Sequence, residues 1–190
     1  MSIEMYEQQL RRLLSKQAIT ELAFAYSRAV DRRDFSLLKS LYTTDGYDDH
    51  GGYYCGDIAG YVDWLSQAMD NCEITSHAVH NHSIAFSDDG SAEGEVYVTA
   101  YHRMHDGKGG YDEYIGGFRY LDNYREEGGA WRFSRRQLII DWIRTAPASW
   151  DLDHPLLRGN TIGMAGPTDA SYTLGQPLFA RCATSHCVAE

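Results

Sequence analysis

Three of the chain's eight histidines fall within six residues, in the stretch Glu73-Ile-Thr-Ser-His-Ala-Val-His-Asn-His-Ser-Ile-Ala-Phe86. Imidazole ordinarily titrates near neutral pH, so such a stretch can supply a general acid or base, or metal ligands. It reads as a β-strand, and strand side chains alternate between faces. Alternation sets His77, Val79 and Asn81 on one side and Ala78, His80 and His82 on the other. For each histidine taken singly, a hydrogen-bonded core or interface role is the plain account.

A second polar cluster, Tyr47-Asp48-Asp49-His50, lies in the turn-rich segment Thr44–Gly52. By composition it is a solvated turn. As chemistry, Tyr47 would donate to a substrate oxygen beside Asp48 and His50. His80 and His82 with Asp48 or Asp49 form a donor set that transition metals accept, but no ligand spacing is specific, so neither metal nor other cofactor is expected. Cys182, His186 and Cys187 near the C-terminus read as incidental thiols in a flexible tail rather than a metal tract. Gly107-Lys108-Gly109-Gly110 lacks phosphate-loop spacing and is a hairpin turn.

The elements that must position these residues follow from periodicity. Leu22, Ala25, Tyr26, Ala29 and Val30 form one helical stripe in a helix from about Tyr6 to Val30, and Leu10 and Leu14 extend it backwards. Asp34 caps a short helix carrying Phe35, Leu37, Leu38 and Leu41; Asp57 caps a third with Ile58, Tyr61, Val62, Leu65, Ala68 and Met69. Strands follow over about Ala92–His105, Tyr111–Tyr124 and Trp131–Ile143, joined by Gly-rich turns. Helices first and hairpins after predict an α+β domain over residues 1–145, with a curved, mostly antiparallel sheet over three helices. All four prolines lie beyond Thr145, so residues 146–190 read as an irregular extension packing on the domain or a neighbouring subunit.

Seventeen Lys+Arg against 27 Asp+Glu give a net charge of −10, which argues against a nucleic-acid binder. The N-terminal segment has no signal-peptide pattern, and no apolar run spans a bilayer; with sparse cysteines, a cytoplasmic, non-membrane protein with free thiols is expected. Asp31 sits at the negative end of the first helix, where a carboxylate is unfavourable, so a partner is expected to hold it. On the last strand, alternation groups Arg136 with Leu138, Ile140 and Trp142. An arginine aimed into an apolar cavity binds a carboxylate, a leaving anion or an enolate oxygen; a surface arginine paired with Glu or Asp is the other account.

Three segments resemble the SnoaL-like branch of the NTF2-like, or cone-fold, superfamily: Ala25-Tyr-Ser-Arg-Ala-Val-Asp-Arg-Arg-Asp34 with the following Leu-rich helix to Asp45, Thr75-Ser76-His77, and Tyr120 to Arg136. That branch includes polyketide cyclases, scytalone dehydratase and hexachlorocyclohexane dehydrochlorinase. The resemblance implies a cone in which Asp31 orients His77 as the base that takes a proton from carbon. The chemistry would be dehydration, elimination, isomerisation or cyclisation of a small hydrophobic cyclic or aromatic substrate. Arg136, Tyr47, Asp48, His50, Tyr26, Asn81 and Trp142 are then candidate substrate contacts, and a homo-oligomer, dimer or trimer, is implied. A non-catalytic subunit similar to the small subunit of ring-hydroxylating dioxygenases is the alternative, because one fold hosts many functions.

Overall fold

The Ser2 hydroxyl opens the first helix by accepting from the Met5 backbone N–H at 3.3 Å, satisfying a donor that a helix start leaves free. In the computed structural model the described residues are 2–174 and 178; Cys182, His186 and Cys187 lie outside them. Helix α1 runs Ile3–Asp31, α2 Phe35–Ser40 and α3 Ile58–Asp70. Asp34 and Asp57 cap α2 and α3, accepting from the backbone N–H groups of Leu37 and Gly60 at 2.9 Å each.

The stripe of α1 is buried over its second half only. Ile19, Leu22, Tyr26, Ala29 and Val30 are buried, whereas Leu10 and Leu14 are 50% and 60% exposed. This corrects the expected backward extension of the stripe. Periodicity belongs to the sequence, but burial needs a covering layer, and the first turns project past it.

Strands β1 (Tyr42–Asp49), β2 (Cys55–Asp57), β3 (Cys72–Phe86), β4 (Ala92–His105), β5 (Tyr111–Glu127) and β6 (Ala130–Pro147) form one sheet in the order β2-β1-β6-β5-β4-β3. From β3 to β6 it is an antiparallel meander. Between β5 and β6 the two-residue loop Gly128-Gly129 has φ of 64° and 77°, the left-handed pair that a tight hairpin requires. Strand β1, expected as a turn, pairs parallel with β6 and antiparallel with β2. Its polar composition hid it. Asp48 points inward to partners on its own strand and just after it, and a register shift between Tyr42 and Tyr47 breaks the alternation that would have marked a strand.

Two further irregularities decide which residues face inward. On β3, Val79 pairs with Val98 and His82 with Val96, so His80 and Asn81 together oppose Tyr97. On β6, Ile140 pairs with Phe118 and Trp142 with Gly117, leaving Asp141 as an extra residue. Each bulge reverses the alternation beyond it.

The sheet curves over the helices as a cone, its core built from Tyr26, Tyr42, Tyr61, Tyr124, Phe133 and Leu38. Residues after β6 strap back across the outside. Arg103 donates to the Trp150 carbonyl at 2.6 Å, Gly166 N–H donates to the Arg32 carbonyl at 2.8 Å, and Arg32 pairs with Asp169 at 3.5 Å. No described helix is long and apolar enough to cross a membrane.

Candidate active site

Arg33 closes the helix that carries Asp31. It is left-handed at φ 56°, and α1 closes through Arg33 N–H to the Val30 carbonyl at 3.2 Å and Asp34 N–H to the Ala29 carbonyl at 2.9 Å, a Schellman arrangement. The Arg33 guanidinium then donates to the Val30 carbonyl and the Thr75 hydroxyl, both at 2.9 Å, and to the Cys72 carbonyl at 3.2 Å. The end of α1 is thereby fastened to the start of β3.

Across that junction Asp31 Oδ2 accepts the His77 backbone N–H at 2.9 Å, and Oδ1 faces the ring Nδ1 at 2.7 Å. The network assigns the ring proton to Nδ1 and leaves Nε2 as the nitrogen available on the cavity wall. Burial raises the carboxyl of Asp31, but the hydrogen bonds and charge of His77, with a further hydrogen bond from Thr75, outweigh it and hold the group below its ordinary range. Behind the pair lies a polar hollow of about 290 Å³ bordered by Ser27, Arg28 and Arg32.

His77 opens on a cavity of about 370 Å³ inside the cone. Its walls are mainly apolar: Trp64, Leu65, Met69, Phe118, Leu138 and Ile140. Polar groups come from His77 and His102 on one side and from Tyr26, Tyr61 and His50 elsewhere on the wall. A few polar groups in an apolar hollow of this size match a small-molecule site.

His102 carries no mark in the sequence reading, although Val96, Val98 and Ala100 lead to it along one face of β4. Its ring lies edge-on to His77, centroids 5.1 Å apart, and flat on Tyr114 at 4.3 Å. Burial first, and the neighbouring His77 second, press its pKa down to about 3.

Of the other candidates, His50 and Tyr26 line the cavity, and Asp48 stands directly behind His50, fully buried. Asp48 accepts from the Tyr42 hydroxyl at 2.5 Å and pairs with His50 Nδ1. Arg136 is 1% exposed and does not reach the wall. It grips Asp122 through Nε and Nη2 at 2.8 and 2.7 Å and lies 4.0–4.1 Å from the ring centres of Tyr26, Tyr120 and Phe133. Tyr47 points outward, its hydroxyl 3.0 Å from Cys55 Sγ. The bulges turn Asn81 and Trp142 to the outer face, correcting the strict alternation that set them on the wall; Trp142 instead covers Gly117 and is 51% exposed. The same bulge on β3 turns His82 inward to the Tyr124 hydroxyl at 3.1 Å, while His80 bonds Thr99 outside at 2.8 Å, so these two do not share a face.

Comparison with known proteins agrees with this fold. A family described as a SnoaL-like domain matches residues 11–137. A hexachlorocyclohexane dehydrochlorinase, LinA type 2, superposes with a TM-score of 0.68 at 21% identity, over 77% of this chain and 98% of that one. A protein of Novosphingobium aromaticivorans DSM 12444 provisionally named a scytalone dehydratase gives 0.63 at 22% identity, over 83% and 95%. Likenesses at this identity establish the fold. The uncharacterized protein Rv2910c of Mycobacterium tuberculosis is 33% identical over 73 residues, 37% of this chain and 50% of that one, so the match spans half the length of that relative.

Proposed function

The chain belongs to the SnoaL-like domain family, and from that premise we propose that it is a cofactor-independent lyase or isomerase. It would remove a proton from carbon in a small, hydrophobic, cyclic or aromatic molecule. The observation that carries this reading is the bonded Asp31–His77 pair on the wall of a mainly apolar cavity. With a proton held on Nδ1 by Asp31, Nε2 has the lone pair that takes the proton. The imidazolium then forms against a carboxylate, in surroundings where their attraction is far stronger than in water. Departure of a β-substituent completes an elimination, and return of the proton to another carbon completes an isomerisation. The names of the two similar structures, a dehydratase and a dehydrochlorinase, favour elimination.

A neutral His102 supports the assignment, because it adds no positive charge to oppose protonation of His77. A filled cavity with Asp31 and His77 apart would favour a non-catalytic subunit; here the cavity is open and the pair bonded. Assembly would use the outer face of the sheet, where Tyr97, Leu121 and Trp142 are 39–51% exposed.

The test is deuterium uptake. In D2O, cyclic ketones and β-hydroxyketones incubated with the protein are expected to gain deuterium at the α-carbon faster than without it. His77→Gln should lower that rate by roughly 10²–10⁴ while leaving the unfolding temperature nearly unchanged. Equal uptake by the variant would remove His77 from the chemistry.

A further inference from the structure

The Asp48–His50 pair takes no part in the proton abstraction above, yet it sets a fully buried carboxylate behind the cavity wall. A carboxylate with no exposure loses its hydration, which is tolerated only where hydrogen bonds and a counter-charge replace water. Asp48 has the Tyr42 hydroxyl and His50 Nδ1. Arg136 is committed to Asp122 through two hydrogen bonds. Among the described residues the ion pair of Asp48 is with His50 alone.

His50 in turn faces the cavity that His77 faces. Its ring stacks on Tyr61, centroids 5.0 Å apart, and Nε2 lies 3.5 Å from the Tyr61 hydroxyl, a contact too long to hold that nitrogen firmly. The Tyr61 hydroxyl is itself engaged with that of Tyr26 at 2.5 Å. Nδ1 is therefore fixed by a buried carboxylate while Nε2 remains available to a molecule in the cavity. This repeats the Asp31–His77 arrangement on a different element.

We propose that His50 is a second catalytic residue, the general acid that protonates a departing oxygen, and that Asp48 is its positioning residue. The inference rests on the reading of His77 as the base. In its active form the pair carries a proton on Nε2 and another in the Nδ1–Oδ1 hydrogen bond. His77 Nε2 takes the α-proton, and the C–H electron pair becomes the new C=C bond. The C–O pair leaves with the oxygen, which takes the Nε2 proton of His50 and departs as water. His77 ends with one proton more and His50 with one fewer, and exchange with solvent restores both. An acid of this kind is needed for hydroxide, a poor leaving group, and not for chloride, which departs as a stable anion.

That difference supplies the test. Cyclic β-hydroxyketones and their β-chloro counterparts are given to the wild type, His50→Gln and His77→Gln, following α-deuterium uptake and alkene formation separately. His50→Gln should lose water elimination by roughly 10²–10⁴, while deuterium uptake and chloride elimination stay within a few-fold. His77→Gln should lose all three. If His50→Gln eliminates water as fast as wild type, or loses chloride elimination to the same degree as water, His50 is not the acid and the pair serves only to fasten β1. If the wild type neither exchanges nor eliminates, the reading of His77 fails and this one with it. Should His50→Gln not fold, Asp48→Asn carries the same test: the expected result is the same split in weaker form, and its absence in a folded variant overturns the proposal.

Discussion

His102 shows how one side chain, set among others, acquires a property its type does not predict. Flat on Tyr114 and edge-on to His77, it is held neutral, with its pKa down at about 3 from an ordinary 6.5. The sign of the stability effect follows. Between those two values the unfolded chain binds a proton that the folded chain refuses, so stability falls as the pH is lowered through that window. From pH 7 to pH 4.5 this group should remove about 2–3 kcal/mol of unfolding free energy. Asp31 acts in a separate range. Its folded value is depressed, so its contribution is present above the ordinary carboxylate pKa of 3.8 and lost as the pH falls through the folded value. Urea unfolding of His102→Phe at the two pH values should show the acid-side loss shrinking by about that amount. An unchanged loss would mean that His102 is protonated in the folded protein as readily as in the unfolded one. The sequence held a signal for this residue, since a histidine continuing the apolar face of Val96, Val98 and Ala100 is placed for burial, whereas the His77-His80-His82 cluster drew attention by its density and His77 by the resemblance.

At the scale of elements, the junction between α1 and β3 positions the dyad, and Arg33 is its fastener. A left-handed backbone at a residue with a Cβ costs roughly 1–2 kcal/mol, offset by three guanidinium hydrogen bonds, one to the end of α1 and two across the junction to β3. Arg33→Ala should lose the bonds and keep the strain, whereas Arg33→Gly loses the bonds and relieves it. The glycine variant is therefore expected to be about 1 kcal/mol the more stable of the two by denaturant midpoint. Both should lose deuterium-exchange activity by about 10²-fold, because Asp31 and His77 are no longer held in register. Full activity in either would show that the dyad assembles without this clamp. The helices, their Asp34 and Asp57 caps and the four long strands were legible as period and punctuation, whereas the cone and the approach of Asp31 to His77 were anticipated from the resemblance to the SnoaL-like branch. The bulges were not. An extra residue at His80-Asn81 or at Asp141 leaves no compositional trace, yet it carries Asn81 and Trp142 to the outer face and His82 to the inner one. Strand β1 was hidden for a related reason: Asp48 reads as solvated until its partners Tyr42 and His50 are in place.

For the molecule as a whole, the narrow interior of the cone is held by polar contacts as much as by apolar ones. His82, Tyr124, Asp122 and Arg136 form one chain of hydrogen bonds through the sheet, Tyr42, Asp48 and His50 form a second at β1, and Tyr26 and Tyr61 bond α1 to α3. Arg136 stands between them, bonded to Asp122 and packed beneath Tyr26 and Tyr120, which line the cavity. Burial works against its charge, but Asp122 overrides it and keeps the guanidinium firmly protonated. Removing one member of such a pair strands the other charge without water. Arg136→Met should therefore cost about 3–5 kcal/mol of unfolding free energy, a large share of the roughly 5–15 kcal/mol that a domain has. The double variant Asp122→Asn with Arg136→Met should recover most of that loss, since an uncharged amide still accepts from Tyr124 and no bare carboxylate remains. Urea unfolding of the two single variants and the double variant measures the coupling. A cost below about 1 kcal/mol for Arg136→Met would mean that the pair is dispensable. The apolar packing of Tyr26, Tyr42, Tyr124 and Phe133 would then account for the shape of the cavity floor by itself.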